Sequence, residues 1–200
     1  SPEDIVKIRE EINDSREKLD YIRKKLAEDK TPYSDAKLMA ELYVKDRLKH
    51  TEIEINPVVS RGGIYISDRY TLSTCCYQSV QGLDLQTLIK MHNHGIMIPN
   101  LTFLLDVDRD VASERKELRI TEKHGKDVNI DEKLEKFEKD SVFIDNLIKQ
   151  YRNLAILAKT DKTIFGEVIT INGNKSIEEV YSEVQKYFNS IYERWIKSTN

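Results

Sequence analysis

The chain has 200 residues, which is enough to bury one sizeable hydrophobic core, so we expect a single domain spanning residues 1–200. Its 32 lysines and arginines nearly balance 35 aspartates and glutamates, giving a formal net charge of −3. Nucleic-acid-binding proteins need a clustered basic surface, so this balance argues against that class.

The sequence has no charged-then-apolar signal segment and no run of about 20 apolar residues, so neither export nor membrane insertion is expected. Its two cysteines, Cys75 and Cys76, are neighbours whose Cα atoms lie about 3.8 Å apart, closer than an ordinary disulfide prefers. These features favour a reducing, cytoplasmic location.

Two helical segments are predicted first along the chain. In residues 3–29, isoleucines and leucines recur at spacings of three, four and seven, which indicates an amphipathic helix or helix pair. Turn residues follow, and a second helix is predicted over about 36–55, ended by Pro57 and the glycines after it.

Three short apolar runs then predict buried strands, at 63–67, 101–107 and 164–171. Helical patterns separate and follow them, at 84–94, 110–123, 130–158 and 176–196. This alternation indicates an α/β three-layer sandwich, with a parallel sheet covered by helices on both faces. Doubly wound domains of this size usually have about five strands, so we expect further strands on the N-terminal side.

The segment that follows the first predicted strand carries the chemistry. Ligands of open α/β sheets bind at the carboxyl ends of the strands, and Asp68 and Arg69 stand at such an end. Arg69 can grip phosphate oxygens in a bidentate fork, and Asp68 can orient that arginine or hold a magnesium ion. The alternative is a structural ion pair.

A family resemblance rests on these residues. Asp68-Arg69-Tyr70, followed by Ser73 and Tyr77-Gln78, resembles the signature of the thymidylate kinase family of phosphate-binding-loop (P-loop) kinases. Leu42 to Arg47 resembles that family's Leu-Phe-x-x-x-Arg helix, with Tyr43 in place of phenylalanine. Further matches occur at Pro99–Thr102 and in the later helices, so the resemblance spans nearly the whole chain.

The resemblance implies a Mg²⁺-dependent transfer of the ATP γ-phosphoryl group to dTMP, and commonly a homodimer. It places Tyr43 on the face of the thymine ring, where stacking contributes about 1 to 3 kcal/mol, and aims Arg47 at a base carbonyl. Tyr77 is expected near the ribose 2′ position, although a tyrosine there can also be core. The other residues expected at the substrate are Arg9, Arg69, Ser73, Thr74 and Gln78.

Positive charge between Arg115 and Lys126 lies where this family has its lid, which we expect at about 115–135. Cations there can neutralise charge on the transferring phosphoryl group, and Arg115 and Arg119 are the candidates. A charge run can also be merely a solvated face. Glu135-Lys136 departs from the Asp-Arg that the family has at this point.

The sequence shown contains no phosphate-binding loop, because none of its seven glycines fits the pattern G-x-x-x-x-G-K-[ST]. We expect a first segment that precedes Ser1. The alternatives are that another polypeptide supplies the loop, or that the loop has been lost and the protein binds a nucleotide or acts as a partner subunit without catalysis. A kinase for another nucleotide or for a deoxynucleoside is a further alternative. His92-Asn93-His94 spells a nuclease-like triplet, but helix residues two apart do not converge.

Overall fold

The computed structural model describes residues 24, 33, 35–134, 137–160 and 164–199. The helical pattern at 3–29 and the candidate Arg9 lie outside the described residues. The helices are α1 (Ala36–His50), a π-helical turn (Thr51–Ile55), α2 (Asn56–Val59), α3 (Thr71–Val80), α4 (Leu85–His92), α5 (Arg109–His124), α6 (Ile130–Lys133), α7 (Ser141–Thr160) and α8 (Ile177–Thr199). The strands are β1 (Leu101–Asp106) and β2 (Glu167–Asn172).

The two strands form a parallel pair, with Leu101 opposite Glu167 and Asp106 opposite Asn172. This parallel sheet among helices confirms the predicted α/β class. Gly166 allows the strands to approach at their start: its φ is +67°, and a Cβ there would collide with the carbonyl oxygen of Pro99.

The core surrounds the long helix α7, with α3 on one side of it and the sheet on the other. This helix packs against α3 and both strands, and α8 packs against β2. Fully buried side chains come from each layer, among them Cys75, Cys76, Phe143, Leu154 and Phe165. Helix α3, which carries much of the candidate site, is therefore fixed on its inner side.

The predicted first strand at 63–67 is wrong. The segment has no regular structure, and Ile64 and Ile66 are 51% and 86% exposed. A strand needs a hydrogen-bonding neighbour, and among the described residues only β1 and β2 pair. The apolar composition of residues 63–67 does not reveal whether such a neighbour is present.

Two predicted helix boundaries also differ. The helix that begins at Ala36 runs through a π-helical turn into α2 and so continues past Pro57. The proline is tolerated because it lies in the first turn of α2, where its missing N–H breaks no helical hydrogen bond. The pattern at 130–158 is interrupted between α6 and α7. Asp140 accepts a hydrogen bond from the backbone N–H of Phe143 (2.8 Å) and thereby starts a new helix.

Within the described part of the chain, no helix combines the length and the apolar character that crossing a bilayer requires.

Candidate functional site

Asp68 and Arg69 lie in the bend that leads into α3, and both are exposed. Arg69 has a φ of +61°, in the left-handed region that residues other than glycine rarely adopt. Such a conformation costs on the order of 1 kcal/mol or more and is concentrated at functional sites. The carboxylate of Asp68 makes no hydrogen bond or ion pair with another described residue, so it is available to a ligand.

Tyr77 fixes the side chain of Arg69. The guanidinium carbon lies 5.6 Å from the centre of the Tyr77 ring, and interaction with Tyr77 is the main cause of a raised pKa for Arg69. The Tyr77 ring also packs edge-on against Phe137, with ring centres 5.2 Å apart. Tyr77 therefore packs in the core and also contacts Arg69, so a core position and a position beside the candidate site are compatible for this residue.

Ser73, one turn before Tyr77, is tied to α7. The hydroxyl of Tyr151 donates to its Oγ over 2.9 Å, and burial raises the pKa of Tyr151, so the phenol stays protonated and remains a donor. The signature serine is thus oriented by a side chain 78 positions later in the chain.

Tyr43 and Arg47, one turn apart on α1, face the same region. Burial raises the pKa of Tyr43, and the positive charges of Arg69 and Arg47 act in the opposite direction, while Tyr77 also interacts with it. Tyr43 therefore lies within electrostatic reach of Arg47 on its own helix and of Arg69 and Tyr77 at α3, against which α1 packs.

Arg47 is held by three neighbours. Its Nη1 donates to Thr74 Oγ1 (3.1 Å) and to His92 Nε2 (3.2 Å), and its guanidinium carbon lies 4.8 Å from the centre of the Tyr70 ring. Burial lowers its pKa, but an arginine remains a cation in proteins. Arg47 is thus a partly buried cation, and no described carboxylate forms an ion pair with it.

Thr74 and Gln78 lie one turn apart on α3 and are 4% and 3% exposed. The amide nitrogen of Gln78 donates to Gln81 Oε1 over 2.9 Å. Its own Oε1 is buried and accepts no hydrogen bond from any described residue. A buried acceptor left unpaired costs about 1 to 3 kcal/mol, which a donor on a ligand would recover.

His92 is a site residue that sequence reasoning missed. It is 2% exposed, and its Nδ1 lies 2.7 Å from the carbonyl oxygen of Leu88. A carbonyl only accepts, so Nδ1 carries the hydrogen and Nε2 is the acceptor that faces Arg47. The available signal was its spacing of four from Leu88, which puts both on the buried face of α4.

The burial of His92 predicts a pH-dependent stability. Burial, aided by the charge of Arg47, lowers its pKa to about 4. An unfolded histidine takes up a proton near pH 6.5, so between these values the unfolded chain binds more protons and stability falls as the pH falls. We expect this residue to remove roughly 2 kcal/mol from the free energy of unfolding by pH 4.5.

Urea unfolding of wild type and His92→Gln at pH 6.5 and 4.5 measures this contribution. The variant should lose less stability than the wild type. His94→Gln is the matched control, because His94 is exposed, and it should behave as wild type. Equal losses in all three proteins would contradict the assignment.

The lid candidates lie on α5. Arg115 donates to the backbone carbonyls of Gly173 (2.6 Å) and Lys175 (2.9 Å), which follow β2, and Arg119 is exposed. Asp106, at the end of β1, pairs with Arg152 through both carboxylate oxygens, at 2.9 and 3.0 Å from Nε. The described contacts of Arg115 and Asp106 are therefore structural ones.

Among the residues that the structure describes, no group of three or more histidine, cysteine, aspartate or glutamate side chains is arranged to hold a metal ion. A site built wholly from protein ligands is therefore not found there.

Comparison with known proteins identifies the family of this chain. A sequence model of the thymidylate kinase family matches residues 13–184. The "Probable thymidylate kinase" of Staphylothermus marinus is 31% identical over 154 residues, 77% of this chain and 67% of that protein. The "Probable thymidylate kinase" of Archaeoglobus fulgidus is 33% identical over 75% of this chain and 65% of that protein. The "Thymidylate kinase" of Desulfotalea psychrophila is 37% identical over 56% of this chain and 52% of that protein.

The chain thus spans between about half and two thirds of the length of these relatives. The matched region includes α1, α3 and the bend between them, which hold the side chains described above. The match extends over far more than half of the chain, and the chain belongs to the thymidylate kinase family.

Proposed function

We propose that this protein is a thymidylate kinase that transfers the γ-phosphoryl group of ATP to dTMP and releases dTDP and ADP. The observation that carries the proposal is that Tyr43 on α1 lies within electrostatic reach of both Arg47 and Arg69, where α1 packs against α3. The Tyr43 ring suits a base, the partly buried Arg47 suits a base carbonyl, and the exposed Arg69 suits a phosphate.

Base recognition follows from the buried groups. Arg47 donates to the carbonyl at position 4 of thymine, and the unpaired Oε1 of Gln78 accepts from the ring N–H at position 3. Cytosine presents the opposite pattern at both positions, so it would leave these groups unpaired at a cost of roughly 1 to 3 kcal/mol. Tyr43 covers the ring face, and Thr74 holds Arg47 in place.

Phosphate recognition is the role of Arg69. Its exposure and its contact with the Tyr77 ring support a role in which the guanidinium fork holds the dTMP phosphate and neutralises charge as the transfer proceeds. In the reaction an oxygen of that phosphate bonds to the γ-phosphorus while the bond to the ADP oxygen breaks. The chain's contribution is positioning and electrostatic stabilisation.

Asp68 fits a Mg²⁺ ligand, because its carboxylate is exposed and without a described partner, and Mg²⁺ is commonly held by one or two carboxylates with water and phosphate oxygens. When bound, Mg²⁺ supplies charge neutralisation between the phosphates. Arg115 and Arg119 remain proposed lid cations, and a lid at 115–135, a homodimer and a cytoplasmic location are part of the same proposal.

A substrate panel tests the activity. ADP formation is measured with dTMP, dUMP, dCMP and thymidine at saturating ATP. We expect dTMP to give the highest kcat/KM, dUMP a value about ten- to a hundredfold lower for want of the methyl group, and dCMP to be poorer still. Thymidine should not react, since it has no phosphate for Arg69. If calorimetry detects dTMP binding but no ADP forms, the protein is a nucleotide-binding protein and not a kinase. If dCMP or thymidine gives the highest kcat/KM, the assignment of dTMP as the substrate is wrong.

A further inference from the structure

The orientation of Arg47 is set by two acceptors that share one nitrogen. Nη1 of a guanidinium carries two hydrogens, and Thr74 Oγ1 and His92 Nε2 lie within 3.1 and 3.2 Å of it. The Tyr70 ring, whose hydroxyl donates to the carbonyl of Met97 (3.1 Å), covers the guanidinium plane. With Nη1 occupied, the base must be read by Nη2 or Nε.

His92 suits this task because its tautomer is fixed. The carbonyl of Leu88 takes the Nδ1 hydrogen over 2.7 Å, which leaves Nε2 with a lone pair and no hydrogen. The ring is buried, so water does not compete for that lone pair. The Nε2 lone pair of His92 therefore points in a fixed direction at Arg47, the cation that the proposed function assigns to the base.

Resting on the proposed function, we propose that His92 is a positioning residue for base recognition: through Nε2 it orients the Arg47 guanidinium towards the position-4 carbonyl of the pyrimidine. Thr74 is the second holder. Removing one of the two acceptors frees Nη1 to rotate, so the guanidinium must be ordered again when the nucleotide binds.

Asparagine and glutamine separate the two nitrogens of His92. His92→Asn can keep the donor to Leu88, at the place of Nδ1, but has no atom near Nε2. His92→Gln reaches the place of Nε2 with an acceptor oxygen for Arg47 and gives up the Leu88 bond. If His92 acts through Arg47, the asparagine variant loses function and the glutamine variant retains it.

Isothermal titration of the full chain with dTMP measures the effect. We expect Kd to rise about tenfold in His92→Asn and to stay within about threefold in His92→Gln, since a hydrogen bond to a charged group is at stake. His94→Asn, an exposed neighbour, should bind as wild type. In an Arg47→Met background, His92→Asn should have no further effect.

Three results would overturn the inference while the proposed function stands: wild-type affinity in His92→Asn, equal weakening in both His92 variants, or an undiminished effect in the Arg47→Met background. Thermal unfolding of each variant shows whether weakening follows a general loss of structure, which also counts against a positioning role. If wild type itself does not bind dTMP, the proposed function fails and the inference fails with it.

Discussion

Replacing Arg69 with alanine is expected to lower kcat for dTMP phosphorylation by about 10²- to 10³-fold. Arg69 is the exposed cation of the cluster, its guanidinium lies over the Tyr77 ring, and its backbone has a left-handed φ of +61°. A group that neutralises charge on the transferring phosphoryl acts mainly in the transition state, so its loss lowers kcat more than it raises KM. Steady-state kinetics with varied dTMP measure both constants.

The Arg69→Ala variant should fold normally, because the side chain is exposed and alanine meets a similar cost at φ +61°. Arg61→Ala is the matched control: Arg61 is exposed in the same connecting segment, and its Nε donates to the carbonyl of Pro57 (2.7 Å). That variant should retain wild-type kcat. A kcat for Arg69→Ala within threefold of wild type would show that this arginine does not stabilise the transferring group.

Signals local in sequence predicted much of the fold. The helices predicted at 36–55, 110–123 and 176–196 are present as Ala36–His50, Arg109–His124 and Ile177–Thr199, and helix signals of this kind come from neighbouring residues and turn residues. Two of the three strand predictions also hold, at Leu101–Asp106 and Glu167–Asn172, since each run is bounded by turn residues.

The features that failed depend on distant contacts. Whether residues 63–67 form a strand is decided by a hydrogen-bonding neighbour, which no local pattern reports. The contact between His92 and Arg47 joins residues 45 apart, and the bonds of Arg115 join residues 58 and 60 apart. Sequence spacing therefore could not predict that His92 contacts an arginine or that Arg115 donates to backbone carbonyls.

The candidate site illustrates the same division. Asp68 and Arg69 were found from the residues, as an acid and a base at one end of a short apolar run. The convergence of α1 with that segment came from family resemblance, because Tyr43 and Arg69 are far apart in sequence and only packing of α1 against α3 brings them together. Single functional residues can thus be found from sequence more readily than the residues that they contact in the fold.

Replacing Arg47 with methionine should raise Kd for dTMP about 100-fold, because a charged donor to the base is lost and Thr74 and His92 lose their shared donor. The ratio of dTMP to dCMP affinity should fall towards one, since Arg47 is the group that opposes an amino group at position 4. Titration with both nucleotides measures the two effects.

Arg47→Met should also lower stability, by about 1 to 3 kcal/mol, because the buried Nε2 of His92 loses its donor. Methionine fills much of the same space and carries no charge to desolvate, which offsets part of this loss. Lys45→Ala is the control on the same helix, because Lys45 is exposed, and it should bind both nucleotides as wild type does. If Arg47→Met keeps its preference for dTMP over dCMP, the base is read elsewhere, and α1 contributes only the stacking surface of Tyr43.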